Sequence, residues 1–293
     1  MPELPDITVY VEALTRQVAG QPIERVQIKT PFLLRSVEPP MSAAEGRVVQ
    51  SIFRLGKRIV LDLGDEYYLV FHLMIAGRLK WTKRGAKAGP IGLALFEFPG
   101  GTLVLTEAGT KRRASLHFVR GKAALGAMDR GGLEVLEAGL PAFATRLRSE
   151  SHTLKRALTD PRLFSGIGNA YSDEALHGAR LSPLTLTGRL SDEEVARLYE
   201  ACRDTLTTWT DRLRAEAADG FPGKVTAFRD GMAVHGRFKQ PCPVCGIPVQ
   251  RIRYAENETN YCARCQTGGR LLADRALSRL LKGDWPRSLD EID

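Results

Sequence analysis

No stretch of this chain approaches the roughly twenty consecutive apolar residues that a membrane-spanning helix requires, and no secretory leader is expected. Internal repeats and low-complexity tracts are also missing, which removes the solenoid architectures. Acidic residues are in deficit: 34 Asp and Glu face 42 Lys and Arg, for a net charge of +8. A surplus of that sign favours an acidic partner such as nucleic acid over a small neutral metabolite. Cysteine is scarce too, with 5 in 293 residues. The expectation is a soluble cytosolic protein, 43% apolar and long enough for two domains with real cores.

What cysteine there is falls in a pattern. Cys242-Pro-Val-Cys245 and Cys262-Ala-Arg-Cys265 stand sixteen residues apart. Two such knuckles bring four sulfurs onto one tetrahedron at the ~2.3 Å Zn–S distance of structural sites. Disulfides or a redox CxxC would call for a secretory leader or a βαβ context, and neither is expected here. One structural Zn2+ per chain is expected. Between the knuckles Val249 to Tyr254 alternates as a strand, and Asn257 to Asn260 reads as the turn back to Tyr261, which makes a zinc-held β-hairpin. The fifth cysteine, Cys202, lies among Leu198, Leu206 and Trp209 at helical spacing and reads as core.

The rest of the chain divides by period. Ile7, Val11, Leu14 and Val18 share one helical face, and Gly20 is placed to stop that helix. From Val26 to about Val119 short apolar stretches follow one another: 48–53, 58–63, 67–73, 79–81, 93–98, 102–106 and 116–119, with a hairpin turn at Pro99-Gly-Gly101. Many short strands without intervening helices predict an antiparallel sandwich or barrel. From about Gly131 the pattern is helical, and Ser191 with Glu194 forms a capping box ahead of a long helix running toward Arg214. Met128 to Pro141 reads as a hinge or linker. Leu271, Leu272, Ala276, Leu277, Leu280 and Leu281 make an apolar face on a short C-terminal helix, docked on the body or offered to a partner. The fold class is α+β, with segments at 1–128, 129–234, 235–269 and 270–293.

Two stretches carry chemistry. Gly166-Ile-Gly168-Asn169 opens directly into a helix with Asn169 at the capping position. Such a start attracts a phosphate oxygen through the helix dipole and its amides, and Lys155 is placed to join the same path. Taken alone, the motif is equally an ordinary helix–helix turn. The second stretch is Met1-Pro2-Glu3-Leu4-Pro5. Removal of methionine before proline leaves Pro2 as a secondary amine with a pKa near ~7.7–8.0, partly neutral and nucleophilic at physiological pH. It can attack C1′ of a deoxyribose, expel the base and leave an iminium whose C2′ proton is acidic enough for β-elimination. Glu3 is placed to protonate the ring oxygen, although a helix start favours its carboxylate form. The plainer reading of PELP is a helix with proline in its first turn.

In order, PELP, Leu55-Gly-Lys57-Arg58 ahead of a strand, Gly166-Ile-Gly-Asn169-Ala-Tyr171 and the double CxxC resemble the bacterial formamidopyrimidine-DNA glycosylase and endonuclease VIII family, over nearly the whole chain to about Thr267. The resemblance implies an N-terminal β-sandwich with flanking helices, then a helix-two-turn-helix domain and a zinc β-hairpin, with DNA held between lobes. By the same likeness Pro2 is the Schiff-base nucleophile, Glu3 the catalytic acid, and Lys57 a phosphate contact that assists catalysis. Taken alone, Lys57 is a solvated lysine in a basic turn. Asn169, Tyr171 and Lys155 fall in the DNA-binding set. The implied partner is double-stranded DNA with damaged bases or abasic sites, bound by a monomer in the bacterial cytoplasm. The implied activity is excision of oxidised bases, purines first, with strand cleavage by β- or β,δ-elimination.

Three positions depart from the family pattern. A methionine that fills the space of the flipped nucleotide is replaced by Ile75 in His72-Leu-Met74-Ile75-Ala-Gly77. A second void-filling phenylalanine is replaced by Ala114, which leaves Arg113 as the wedge. The phosphate-gripping arginine of the zinc hairpin becomes Asn257, with Arg251, Arg253 or Arg264 as substitutes. A competing class is a non-catalytic module that grips damaged or bent DNA; a third, RNA binding, leaves PELP and Lys57 without a role.

Overall fold

The computed structural model describes the whole chain except residues 110, 224, 226–227, 255–256, 274–286, 289–290 and 292–293. It forms two compact units, Met1–Arg130 with Trp209–Thr226, and Gly131–Thr208 with Ala227–Asp293.

The first unit begins with α1 (Leu4–Val18), whose first turn takes Pro5 without losing a hydrogen bond that a helix could use. Its apolar face buries Ile7, Tyr10, Leu14 and Val18 completely. Gly20 then adopts a left-handed φ of 76°, which ends the helix as expected. Eight strands follow: β1 (Arg25–Ile28), β2 (Ser51–Leu55), β3 (Arg58–Asp62), β4 (Tyr67–His72), β5 (Gly77–Thr82), β6 (Gly92–Phe98), β7 (Gly101–Glu107) and β8 (Ser115–Arg120). They pair antiparallel into two four-stranded sheets, β1-β6-β7-β5 and β2-β3-β4-β8. β1 is the strand that the pattern gave least sign of, because it is short and lies on a sheet edge. A short helix, α2 (Lys122–Gly126), closes the run.

Inward residues of both sheets and of α1 make one core. Phe71 of β4 meets Phe96 of β6 edge to face at 5.2 Å, joining the two sheets through fully buried rings. Residues 209–226, which the sequence places with the helical segment, belong to this unit: Phe221 packs on Tyr10 at 5.6 Å, and Arg214 pairs with Glu12 at 2.7 Å.

The second unit holds α3 (Leu140–Arg148), α4 (Leu154–Thr159), α5 (Asn169–Gly178) and most of α6 (Asp192–Ala217). The capping box of α6 forms as read: Ser191 N–H donates to Glu194 Oε2 at 3.1 Å, and Glu194 N–H to Ser191 Oγ at 3.2 Å. Cys202 is core, its thiol pushed up to about 12 by burial. Then come β9 (Gln250–Tyr254), β10 (Asn257–Tyr261) and α7 (Ala263–Thr267). Asn257 to Asn260, expected as a turn, instead pair residue by residue with β9, from Asn257↔Tyr254 to Asn260↔Arg251. Their polar side chains disguised a strand that hydrogen-bonds through its backbone. Leu271 and Leu272 pack with Tyr261, Ala263 and Ile252. The remainder of the expected C-terminal helix, Ala276 to Leu281, lies outside the described residues. No helix among the described residues is long and apolar enough to cross a membrane.

Phe71→Ala is expected to lower the stability of the first unit by about 3–5 kcal/mol, since a fully buried ring leaves a cavity that the sheets cannot close. Urea unfolding followed by tryptophan fluorescence measures it.

Candidate active site, phosphate-binding turn and metal centre

The chain start lies inside the first unit. Pro2 is buried, and Glu3 is 2% exposed. Glu3 N–H donates to Asp6 Oδ2 at 3.0 Å as part of a capping box at the start of α1. The terminal amine is held below its ordinary value of 8.0, chiefly by burial. Glu3 and Asp6 oppose that shift, while the positive charges of Arg78 and Lys57 add to it. Lys57 sits in the two-residue turn between β2 and β3, where Gly56 takes a left-handed φ of 59°.

Next to Lys57, Arg58 pairs across the sheet with His72. His72 is pushed down to about 4 by burial first, then by Arg58, Lys57 and His117. His117 moves the same way through burial, Arg58 and Arg35. Arg58, Arg78, His72 and His117 are not among the residues to which the sequence motifs assign a role. Their signal is weak, since β5 and β8 carry other polar residues beside Arg78 and His117.

Ile75 stands 56% exposed at the turn from β4 to β5. That turn is closed by Gly77 N–H donating to Leu73 O at 2.9 Å, with Met74 at a φ of 52°. A Cβ on Gly77 would lie 2.3 Å from Leu73 O, so only glycine fits there. Arg78 Nη1 donates to Ile75 O at 3.1 Å and to Gly77 O at 2.6 Å, bracing the same turn. Arg113 is exposed. Its N–H donates to the buried Glu107 carboxylate at 2.9 Å, and that of Ala114 does so at 3.1 Å. Ala114 is 4% exposed and belongs to the sandwich core.

In the second unit three readings change. Asn169 is the first residue of α5, and Gly168 is its cap. Its side-chain amide donates to Glu258 O of β10 at 2.8 Å, so it ties the turn to the zinc hairpin and does not close its own helix. Lys155 is turned inward with its side chain 12% exposed. Its ammonium donates to Asn169 O at 2.7 Å, Ser172 Oγ at 2.8 Å and Asp173 Oδ1 at 2.5 Å, which uses its three protons. Tyr171 is 2% exposed and packs inside the unit, because the helix face that carries it points to the core.

Cys242 and Cys245 lie on a knuckle closed by Gly246 N–H to Cys242 O at 2.9 Å, and Cys262 caps α7, which carries Cys265. All four Sγ atoms fall within 4.8 Å of one another. Cys242–Cys265 and Cys245–Cys262 are separated by 3.9 and 3.3 Å. A tetrahedron with ~2.3 Å Zn–S bonds has edges of about 3.8 Å, so the residues fit the ion. The separations are far too long for disulfides at ~2.05 Å. Four thiolates leave no open position, which makes this a structural zinc site.

A zinc hairpin, a helix–turn opening at Gly168 and a β-sandwich with a buried chain start together define a class of multi-part protein met in nucleic-acid enzymes. Residues 1–116 match the formamidopyrimidine-DNA glycosylase N-terminal domain, 135–212 the formamidopyrimidine-DNA glycosylase H2TH domain, and 239–268 the zinc finger found in FPG and IleRS. The formamidopyrimidine-DNA glycosylase of Thermus thermophilus is 34% identical over 281 residues, which are 92% of this chain and 100% of that one. That of Moorella thermoacetica is 33% identical over 263 residues, 86% and 95% of the two chains. The crystal structure of the MutM (Fpg) protein from Thermus thermophilus superimposes with a TM-score of 0.76 at 32% identity, covering 90% of this chain and 98% of that one. The chain belongs to the formamidopyrimidine-DNA glycosylase family.

The position of His72 gives a pH signature. Its folded form stays neutral down to about 4, whereas the unfolded chain takes the proton near 6.5. The unfolded state therefore binds more protons between those values, and stability falls as pH drops from 6.5 toward 4. In His72→Asn the urea midpoint is expected to fall less steeply over that window than in the parent chain.

Proposed function

We propose that this chain is a bifunctional DNA glycosylase and AP lyase of base-excision repair, acting on double-stranded DNA with oxidised bases or abasic sites. The observation that carries the reading is a buried chain start, in which Pro2 lies inside the first unit beside the buried Glu3, with Arg78 and Lys57 near enough to act on the Met1 amine that precedes it. Once the initiator methionine is gone, Pro2 carries the terminal amine. Its neutral nitrogen attacks C1′ of the flipped nucleotide, forming an N–C bond as the base leaves with the electron pair of the glycosidic bond. Glu3 hands a proton to the ring oxygen as the sugar opens. Loss of the C2′ proton from the resulting iminium then breaks the C3′–O bond and releases the 3′ phosphate. Water on the iminium carbon returns the free amine.

The other residues serve binding. Lys57 takes a phosphate near the lesion, and Ile75 and Arg113 enter the gap left by the extruded nucleotide. Asn169 contacts phosphate at the start of α5, where the helix dipole favours an anion. Lys155 and Tyr171 hold that turn in shape from within. Arg251 and Arg253 both reach Glu258, at 3.4 and 3.1 Å, on the residue whose carbonyl receives Asn169. They make up the positive charge that Asn257 lacks. The segments 1–128, 129–234, 235–269 and 270–293 then supply the catalytic domain, helix-two-turn-helix domain, zinc finger and tail of a monomer working in the bacterial cytoplasm, with residues 209–226 packed into the first of these. A Lactococcus lactis Fpg of the same fold, TM-score 0.81 at 23% identity, has been crystallised with DNA containing an abasic site. Oxidised purines are the first substrate to test.

Borohydride added during reaction with an abasic-site duplex is expected to leave a covalent protein–DNA adduct. Chains that keep Met1 or carry a blocked Pro2 should give none, and a mass measurement of the intact N-terminus identifies which form is present. An adduct formed equally well with Pro2 blocked sinks the assignment. Absence of any adduct from the processed chain leaves a DNA-gripping module.

A further inference from the structure

Helix α5 touches the metal centre with a residue that the zinc-ligand motif does not include. His177, in its last turn and 6% exposed, lies with Nε2 3.3 Å from Cys242 Sγ. A thiolate bound to zinc has no proton to give, so in the loaded protein the ring nitrogen must be the donor. Eight residues earlier the same helix opens at Asn169, roughly 12 Å away along its axis. Between them, Asp173 takes the Asn260 N–H of β10 at 3.2 Å and His235 Nδ1 at 2.8 Å. Glu174 takes the N–H groups of Ala233, Val234 and His235 at 2.6, 2.9 and 2.9 Å. One helix therefore meets the metal knuckle at one end, the hairpin in its middle and the phosphate-binding turn at its start.

We propose that His177 is an outer-sphere partner of the zinc centre, donating Nε2–H to the Cys242 thiolate and fastening to the metal the helix that opens at Asn169. A hydrogen bond to a metal-bound sulfur fixes the ligand's orientation and draws off part of its negative charge, which makes the sulfur harder to protonate and displace. His177 is a positioning residue and takes no part in the reaction. By reciprocity, if zinc supports binding at the Asn169 end, a ligand bound there holds zinc more tightly by the same factor; we expect the tighter hold to appear as slower release. This second half rests on the DNA-binding reading above.

The test follows zinc release from the full-length, zinc-loaded protein into excess 4-(2-pyridylazo)resorcinol by absorbance. His177→Phe keeps the ring volume and removes the donor, whereas His177→Gln places an amide nitrogen close to where Nε2 stood. His177→Phe is expected to release zinc about tenfold faster or more, with His177→Gln close to the parent. Equal rates for His177→Phe and the parent overturn the proposal. So does loss of zinc from both variants alike, which would mean that only the shape of the imidazole matters. A saturating abasic-site duplex is expected to slow release from the parent and from His177→Gln and to leave His177→Phe unchanged. The same slowing in all three overturns the link to Asn169. Because the chelator arm contains no DNA, its outcome is separate from any failure of strand cleavage.

Discussion

The second unit depends on one carboxylate. Asp173 is 1% exposed, and its two oxygens gather Lys155 from α4, His235 from the segment ahead of the zinc knuckle, and Asn260 from β10. A buried anion of this kind is tolerable only when its lone pairs are satisfied, and removing one partner from such a set typically costs about 3–5 kcal/mol. The partners come from three distant parts of the chain. None of those parts can move without uncovering the charge, so the helix, the loop and the hairpin share one arrangement. Glu174 adds to this through three backbone donors, while burial pushes its carboxyl up and the donors pull it back.

The first unit solves a different electrostatic problem, that of taking a chain terminus out of water. Burial disfavours the charged amine, Lys57 and Arg78 disfavour it further, and Glu3 and Asp6 work against them. The outcome is a Met1 amine below its usual range and therefore more often neutral. Positive residues gathered around it serve a second purpose if the partner is a polyanion. Burial also depresses His72 and His117, and Arg58 adds to both shifts, with Lys57 acting on His72 and Arg35 on His117.

Much of this was legible in the chain. The double CxxC spacing needed no tertiary information, because two local knuckles determine four sulfur positions. Strand runs were readable where both faces are buried, as in β4 and β7. β10 was not, since Asn257, Glu258, Thr259 and Asn260 form a strand by backbone pairing against Arg-rich β9 and have no apolar alternation to betray it. Side-chain direction was the harder matter. Lys155 and Asn169 looked like outward phosphate ligands from spacing alone. Only the position of Asp173 beneath α4 and of Glu258 across the hairpin explains why Lys155 turns inward and Asn169 bridges. Tyr171 sits among small residues in a motif that reads as surface, yet the helix phase buries it. Residues 209–226 follow the long helix in sequence while their aromatic and ionic partners, Tyr10 and Glu12, lie near the chain start.

The glycine-closed turn below Ile75 has a consequence for the thermodynamics of insertion. A large apolar side chain on a loose loop would have to surrender many backbone conformations on entering a duplex, at about 1–2 kcal/mol for each residue ordered. Here Gly77 bonds to Leu73, and Arg78 grips the Ile75 and Gly77 carbonyls, so those conformations are already forfeited when the protein folds. If Ile75 enters a duplex as proposed, the tip does so as a fixed wedge. Its grip on a void would then be set by how well a branched four-carbon side chain fills it, and very little by the entropy of ordering the loop.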